Sequence, residues 1–185
     1  ARNVQFSSIL SRRIHIFDLF SVTMGDMPMP VIISLLIVIG VAAVCVAAFF
    51  GVGRDDCAVT KQVHGNEVRV VTGADKHVCG SKTPYEADGL VTTEHGLPIF
   101  CFVADCVPLL CDAEHGVIAA VHCGWRSSVA DILGVTVEKM CALGAEPESI
   151  CAAMGASIGR CCFETDDDVP DAVKKYLGCD AEEFF

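Results

Sequence analysis

The sequence predicts an α/β domain of mixed strands and helices from about residue 51 onward, and three observations carry that expectation. Residues 97–104, 107–111 and 117–122 are apolar runs of strand length, bounded by Pro, Asp or Gly, of the kind buried on both faces of a sheet. After Gly124 the apolar period changes to 3.6, with Val129, Ile132, Leu133, Thr136, Val137, Met140 and Cys141 on one helical face. A strand-length run then returns at 150–154, ahead of a weaker helical stretch at 166–177. With 185 residues and 52% apolar content, the chain is one domain in size and can bury a sizeable core.

Taken in order, residues 1–30 have no clear period, and a basic pair, Arg12 and Arg13, stands among them. Residues 31–52 follow as 22 positions without a charge. As a helix they would reach roughly 33 Å, enough to cross a hydrocarbon core of about 30 Å. Taken alone the span reads as transmembrane, with a buried core helix as the other reading. From Arg54 the composition becomes that of an α/β domain. Residues 57–63 and 67–71 read as strands around the tight His64-Gly65-Asn66 turn, whose Gly and Asn tolerate positive φ. Residues 73–86 read as a loop, 89–93 as a short strand and 94–96 as a turn. Ser128 with Asp131 makes a capping-box-like helix start, and Gly144 stands where that helix should close. The GASIGR stretch, 155–160, is a glycine turn that brings backbone close to something. In the helix at 166–177, acidic residues lead and lysines close, as the helix dipole favours.

The formal charge is −11, and nearly all of it lies after Arg54. Such a surface repels phosphate backbones, and no basic run offsets it, so nucleic acid is excluded as a partner. Most of the twelve cysteines sit inside apolar runs, where a thiol behaves as a small hydrophobe, and no CxxC pair occurs. A reduced compartment, the cytoplasm, is expected; a membrane-anchored chain is the alternative if 31–52 spans a bilayer.

Three side chains could share one zinc ion with a position left open: His64 in KQVHGNEV, Cys106 in ADC and His122 in VHCGWR. Each lies in a turn or at a strand end. Asp105, beside the thiol, could orient a ligand through its ring N–H. The spacing alone is weak evidence. A turn histidine is usually a surface residue, and His77, His95 and His115 are read that way; His15 stands between two isoleucines in the N-terminal segment and is not singled out as a ligand either. Cys106 is one of twelve cysteines, and Arg126 beside Trp125 reads as an arginine packed on an indole.

Four ordered motifs select among these residues. KQVHGNEV, EADGLVTTEHGLPIFCFVADCVPLLCD, IAAVHCGWRSS and MGASIGRCCFET together resemble the YfiH-like, laccase-domain family, known first as polyphenol oxidases and later as purine nucleoside phosphorylases. The resemblance covers about residues 51–170. It implies a layered α/β/β/α sandwich of mixed sheets and a zinc held by His64, Cys106 and His122. Two departures accompany it. Residues 1–50 show the hydrophobic span in place of the family's usual opening, and residues 1–48 are read as a non-family extension or a misread stretch of coding sequence. The family also continues beyond residue 185, so residues 51–185 are expected to be a catalytic domain incomplete at both ends.

The activity implied is phosphorolysis of adenosine, inosine or methylthioadenosine to the free base and ribose 1-phosphate, with adenosine deamination as a companion. Its partners would be purine nucleosides and phosphate. Arg126, Lys61 and the backbone of Gly155 are the candidates for holding phosphate, and Asp105 for lining the substrate site. Three rivals remain. A copper-dependent polyphenol oxidase would put copper in the same site, but a multicopper oxidase needs more histidines than the six present. A metal-free hydrolase would use Cys106 as nucleophile and His122 as base. The third is a membrane-anchored or inactive fragment.

Overall fold

The computed structural model describes residues 2–3, 16–18, 56–76, 85–113 and 116–178. In chain order the strands are β1 (Arg2–Asn3), β2 (Ile16–Asp18), β3 (Val68–Val70), β4 (Gly89–Thr92), β5 (Val107–Asp112), β6 (Ile118–Cys123), β7 (Cys151–Met154) and β8 (Glu164–Thr165). The helices are α1 (Trp125–Val129), α2 (Ile132–Ala142) and α3 (Asp168–Leu177). Five strands form a mixed sheet in the order β7-β5-β6-β4-β3, and β2 adds to its β7 edge. The central pairs β5–β6, β4–β6 and β5–β7 are antiparallel, whereas β3 joins β4 and β2 joins β7 in parallel. β1 and β8 make a separate two-residue ladder.

Side chains alternate across a strand, so each strand of this sheet feeds two cores. One face carries Val68, Val91, Leu109, Cys111, Ala119, Val121 and Cys123, which pack with Ile132, Leu133 and Met140 of α2. On the other face Leu90 packs with Ala58, Val71 and Leu97. The segment around 97–100 lies over that second face as an extended strip, tied to Ala58 by two backbone bonds and a single bridge at Ile99. The runs 57–63 and 97–104, expected as strands, therefore pair only at isolated points; the regular strand in the first region is confined to Val68–Val70. β6 is buried almost throughout, as an apolar run should be, but β5 alternates and leaves Leu110 56% exposed.

The helix expected from Ser128 onward is broken. Asp131 takes a left-handed conformation (φ 60°) between α1 and α2, and its carboxylate caps α2 by accepting from the Gly134 N–H. The Ser128 hydroxyl turns back onto the Gly124 carbonyl at 2.8 Å and caps nothing. At the far end Gly144 (φ 101°) closes α2. Its N–H bonds Cys141 and the next N–H bonds Met140, which satisfies two last-turn carbonyls.

The span 31–52, the rest of 1–50 apart from residues 2–3 and 16–18, His15, His77, His115 and the chain end beyond 178 lie outside the described residues. Among the described residues no helix is long and apolar enough to cross a membrane. Among the described residues Cys101, Cys106, Cys111, Cys123, Cys141, Cys151, Cys161 and Cys162 are free thiols.

Candidate metal centre

Antiparallel pairing brings the start of β4, the start of β5 and the end of β6 to one end of the sheet. Asp88 precedes β4, Cys106 precedes β5, and His122 is the second-last residue of β6, opposite Pro108. His122 shares a strand face with Ala120, whose partner across the ladder is Leu90, so its imidazole stands on the side away from α2. His64 reaches the same place from the turn before β3. The donor atoms of His64, Cys106 and His122 lie within 4.8 Å of one another. Cys106 Sγ is 4.0 Å from His64 Nε2, and the two imidazoles meet edge to face with centroids 4.8 Å apart.

Asp88 is what holds the two histidines. Its carboxylate is fully buried and accepts from His122 Nδ1 at 2.8 Å and from the backbone N–H groups of Val63, His64 and Gly65 at 3.1, 2.9 and 2.8 Å. Three successive amides aimed at one anion form a nest. They can converge because His64 itself is left-handed (φ 59°), a conformation uncommon for a residue with a Cβ. The sequence placed the turn's flexibility in Gly65 and Asn66; the structure places it in the histidine. With Nδ1 donating to a carboxylate, His122 presents Nε2 as a lone pair toward the cluster.

Gly124 completes the cradle. A Cβ there would stand 3.0 Å from His64 Cδ2, 3.4 Å from Cys106 Sγ and 3.7 Å from His122 Cε1, so a side chain at this position would crowd the His64 ring and lie against the other two residues. Burial, and then the negative charges of Asp105 and Asp88, push the Cys106 thiol above its ordinary range. The same negative surroundings that disfavour a bare thiolate favour a cation beside it. Two imidazoles, a thiol and a buried carboxylate behind one ring thus have the chemistry of a metal site.

The other residues singled out in the sequence are placed differently. Asp105 is exposed. The carboxylate that orients His122 is Asp88, and the backbone carbonyl of Asp105 accepts from Ile158 N–H at 3.0 Å. Lys61 forms an exposed pair with Glu86 at 2.7 Å. Gly155 donates its N–H to the Pro108 carbonyl, and a Cβ on it would meet Pro108 Cγ at 2.7 Å. Two amides of the glycine turn are therefore spent on bracing the Cys106 loop. Arg126 is exposed, with its guanidinium 4.1 Å from the Trp125 ring centroid.

A family model described as multi-copper polyphenol oxidoreductase laccase matches residues 42–184. The chain belongs to this laccase family. It is the family that the four motifs resemble, and its match begins inside the 31–52 hydrophobic run. Among curated relatives of this laccase-family chain, adenosine deaminase RL5 from an unknown prokaryotic organism is 38% identical over 138 residues, covering 72% of this chain and 53% of the relative. The purine nucleoside phosphorylase of Deinococcus radiodurans is 43% identical over 126 residues, 66% of this chain and 46% of the relative. The crystal structure of YlmD from Geobacillus stearothermophilus superposes with a TM-score of 0.65 at 31% identity, covering 71% of this chain and 50% of that one. The laccase-family chain spans about half the length of the curated relatives it matches. The α/β architecture expected from the sequence is that of these solved structures.

Proposed function

We propose that this chain carries the metal centre of a purine nucleoside enzyme, acting as a phosphorylase on adenosine, inosine or methylthioadenosine and as an adenosine deaminase. The observation that carries the reading is the convergence of His64, Cys106 and His122 around Gly124, with Asp88 behind them. The names of the relatives, purine nucleoside phosphorylase and adenosine deaminase, supply the substrate class. His64, Cys106 and His122 would hold zinc, which there supplies Lewis-acid activation of water or of the purine. The protein's own part is to fix the donors. Asp88 selects the His122 tautomer, the nest orients His64, and the bonds from Gly155 and Ile158 steady the loop that carries Cys106. Arg126, in the first turn of α1 just after His122, is the candidate for drawing in phosphate. Lys61 and the Gly155 amide are weaker ones, because Glu86 and Pro108 already engage them. Asp105, exposed beside Cys106, remains a candidate for lining the substrate site. The cytoplasm, where such nucleosides occur, is the proposed compartment.

Copper is the second reading, because two histidines and a cysteine are also the equatorial set of a blue-copper site. The metal-free hydrolase is disfavoured: reactive cysteines sit in electropositive surroundings, and Cys106 has Asp105 and Asp88 beside it.

Elemental analysis of the purified chain beside Cys106→Ser tests the site, followed by assays with inosine plus phosphate and with adenosine. About one zinc per chain, lost in the variant, is expected, and His122→Ala should abolish both activities together. Copper at that ratio with phenol oxidation and no nucleoside turnover would overturn the zinc reading. Loss of only one activity in His122→Ala would mean the metal does not serve both reactions.

A further inference from the structure

Beyond the metal centre, the chain carries a second sulfur cluster. Cys161 and Cys162 are adjacent in sequence, both exposed and both free, and their Sγ atoms lie 2.8 Å apart. The turn around them holds the pair in place: the N–H groups of Cys162 and Phe163 both bond the Gly159 carbonyl, at 3.0 and 3.1 Å. Among the described residues, the hydrogen-bond partner of each of these thiols is the other, not a residue of the metal centre. We propose that Cys161 and Cys162 are a reversible modification site, oxidised to a disulfide between neighbours by small-molecule disulfides of the glutathione type.

The chemistry is two successive exchanges. The thiolate of one cysteine attacks a sulfur of glutathione disulfide, forming a mixed disulfide and expelling one glutathione thiolate. The second cysteine then attacks the protein-side sulfur and expels the other glutathione. Two protein thiols and one glutathione disulfide give one protein disulfide and two glutathiones; the two protons end on the glutathiones, and the two electrons pass to the oxidant. The second step is intramolecular between atoms already in contact, which favours it over a second encounter with oxidant. Adjacent Cα atoms across a trans peptide are about 3.8 Å apart, short of the roughly 4.4–6.8 Å that disulfides prefer. A bridge here is therefore strained and readily reduced, which suits a reversible site and not a structural staple. Its place adds interest. The turn continues the 155–158 segment, whose N–H groups bond Asp105 and Pro108 on either side of Cys106.

The test is to equilibrate the 185-residue chain at a series of glutathione to glutathione-disulfide ratios, quench with acid, block free thiols with N-ethylmaleimide and digest with trypsin. Both cysteines then fall in one peptide, residues 161–174. At oxidising ratios that peptide should be two hydrogens lighter and carry neither maleimide nor glutathione, and excess glutathione should restore both maleimides. Cys151, exposed and without a vicinal partner, should carry glutathione under the same conditions. In Cys162→Ser, the glutathione adduct on Cys161 should persist because nothing resolves it. Retention of two maleimides at every ratio, or glutathione adducts on wild-type 161–174 that never close, would overturn the proposal.

Discussion

A carboxylate with four donors and no exposure has little freedom to move, and Asp88 passes that rigidity to both imidazoles. Replacing it with Asn keeps the shape but leaves one acceptor oxygen where two oxygens now serve four donors, so an amide NH₂ must face an N–H. We expect Asp88→Asn to weaken metal binding about 10–100-fold, the usual cost of losing the partner behind a ligating histidine. Backbone donors left unpaired in the nest should cost a further 1–3 kcal/mol or so of stability. Competition with a chromophoric chelator and urea unfolding would measure the two effects; an unchanged affinity would mean the His122–Asp88 bond does not tune the site. At this scale the sequence was half legible. The three donors could be named because four motifs resemble one family, whereas composition could not choose among twelve cysteines and six histidines. Asp88 was missed because it stands before an apolar strand, where an aspartate reads as a strand boundary. Only the fold brings residues 63–65 and 122 to it.

Elements were legible where a period decides them and not where tertiary contacts do. β4, β5, β6, β7 and α3 fall within a few residues of their sequence expectations. The break at Asp131 did not, because Ser128 and Asp131 have the spacing of a helix start while the structure uses Asp131 itself as the cap of a second helix. The runs 57–63 and 97–104 have strand composition but cross the sheet's outer face, where no ladder is available. Cysteines inside strands behaved as expected of small hydrophobes, and one consequence is measurable. Burial in β5 pushes the Cys111 thiol up from 9.0 to about 12. Below pH 9 the thiol is protonated in both the folded and unfolded chain, so its contribution is fully present. As pH rises from 9 toward 12 the unfolded chain sheds the proton and the folded one keeps it, and stability falls. Urea midpoints between pH 8 and 10.5 should therefore decline less steeply in Cys111→Ala than in the wild type. The full difference approaches about 1.4 kcal/mol per pH unit. Parallel slopes would mean that the thiol titrates while folded.

For the whole molecule, the two faces of the sheet are unequal, and the candidate metal centre lies on the less covered one. Leu109 points into the core beneath α2 and is fully buried. Its neighbour Leu110 pairs across the ladder with Ala120, shares the face of His122, and is 56% exposed. An apolar run reports how many hydrophobic residues a strand has, not whether both faces find a cover, which is why β5 could be read as buried on both sides. The relatives are about twice as long as the stretch of this chain that matches them, so what covers this face in the working protein is the question a pair of variants can address. If the face is open in this chain, Leu110→Ser should change unfolding stability by no more than about 0.5 kcal/mol, whereas Leu109→Ala should cost about 2–5 kcal/mol. Equal losses in urea unfolding would mean that Leu110 is buried in solution, by a second copy or another segment seated on the face that carries His122. In that case the cover would also form a wall of the site, and Leu110→Ser should lower nucleoside turnover along with stability.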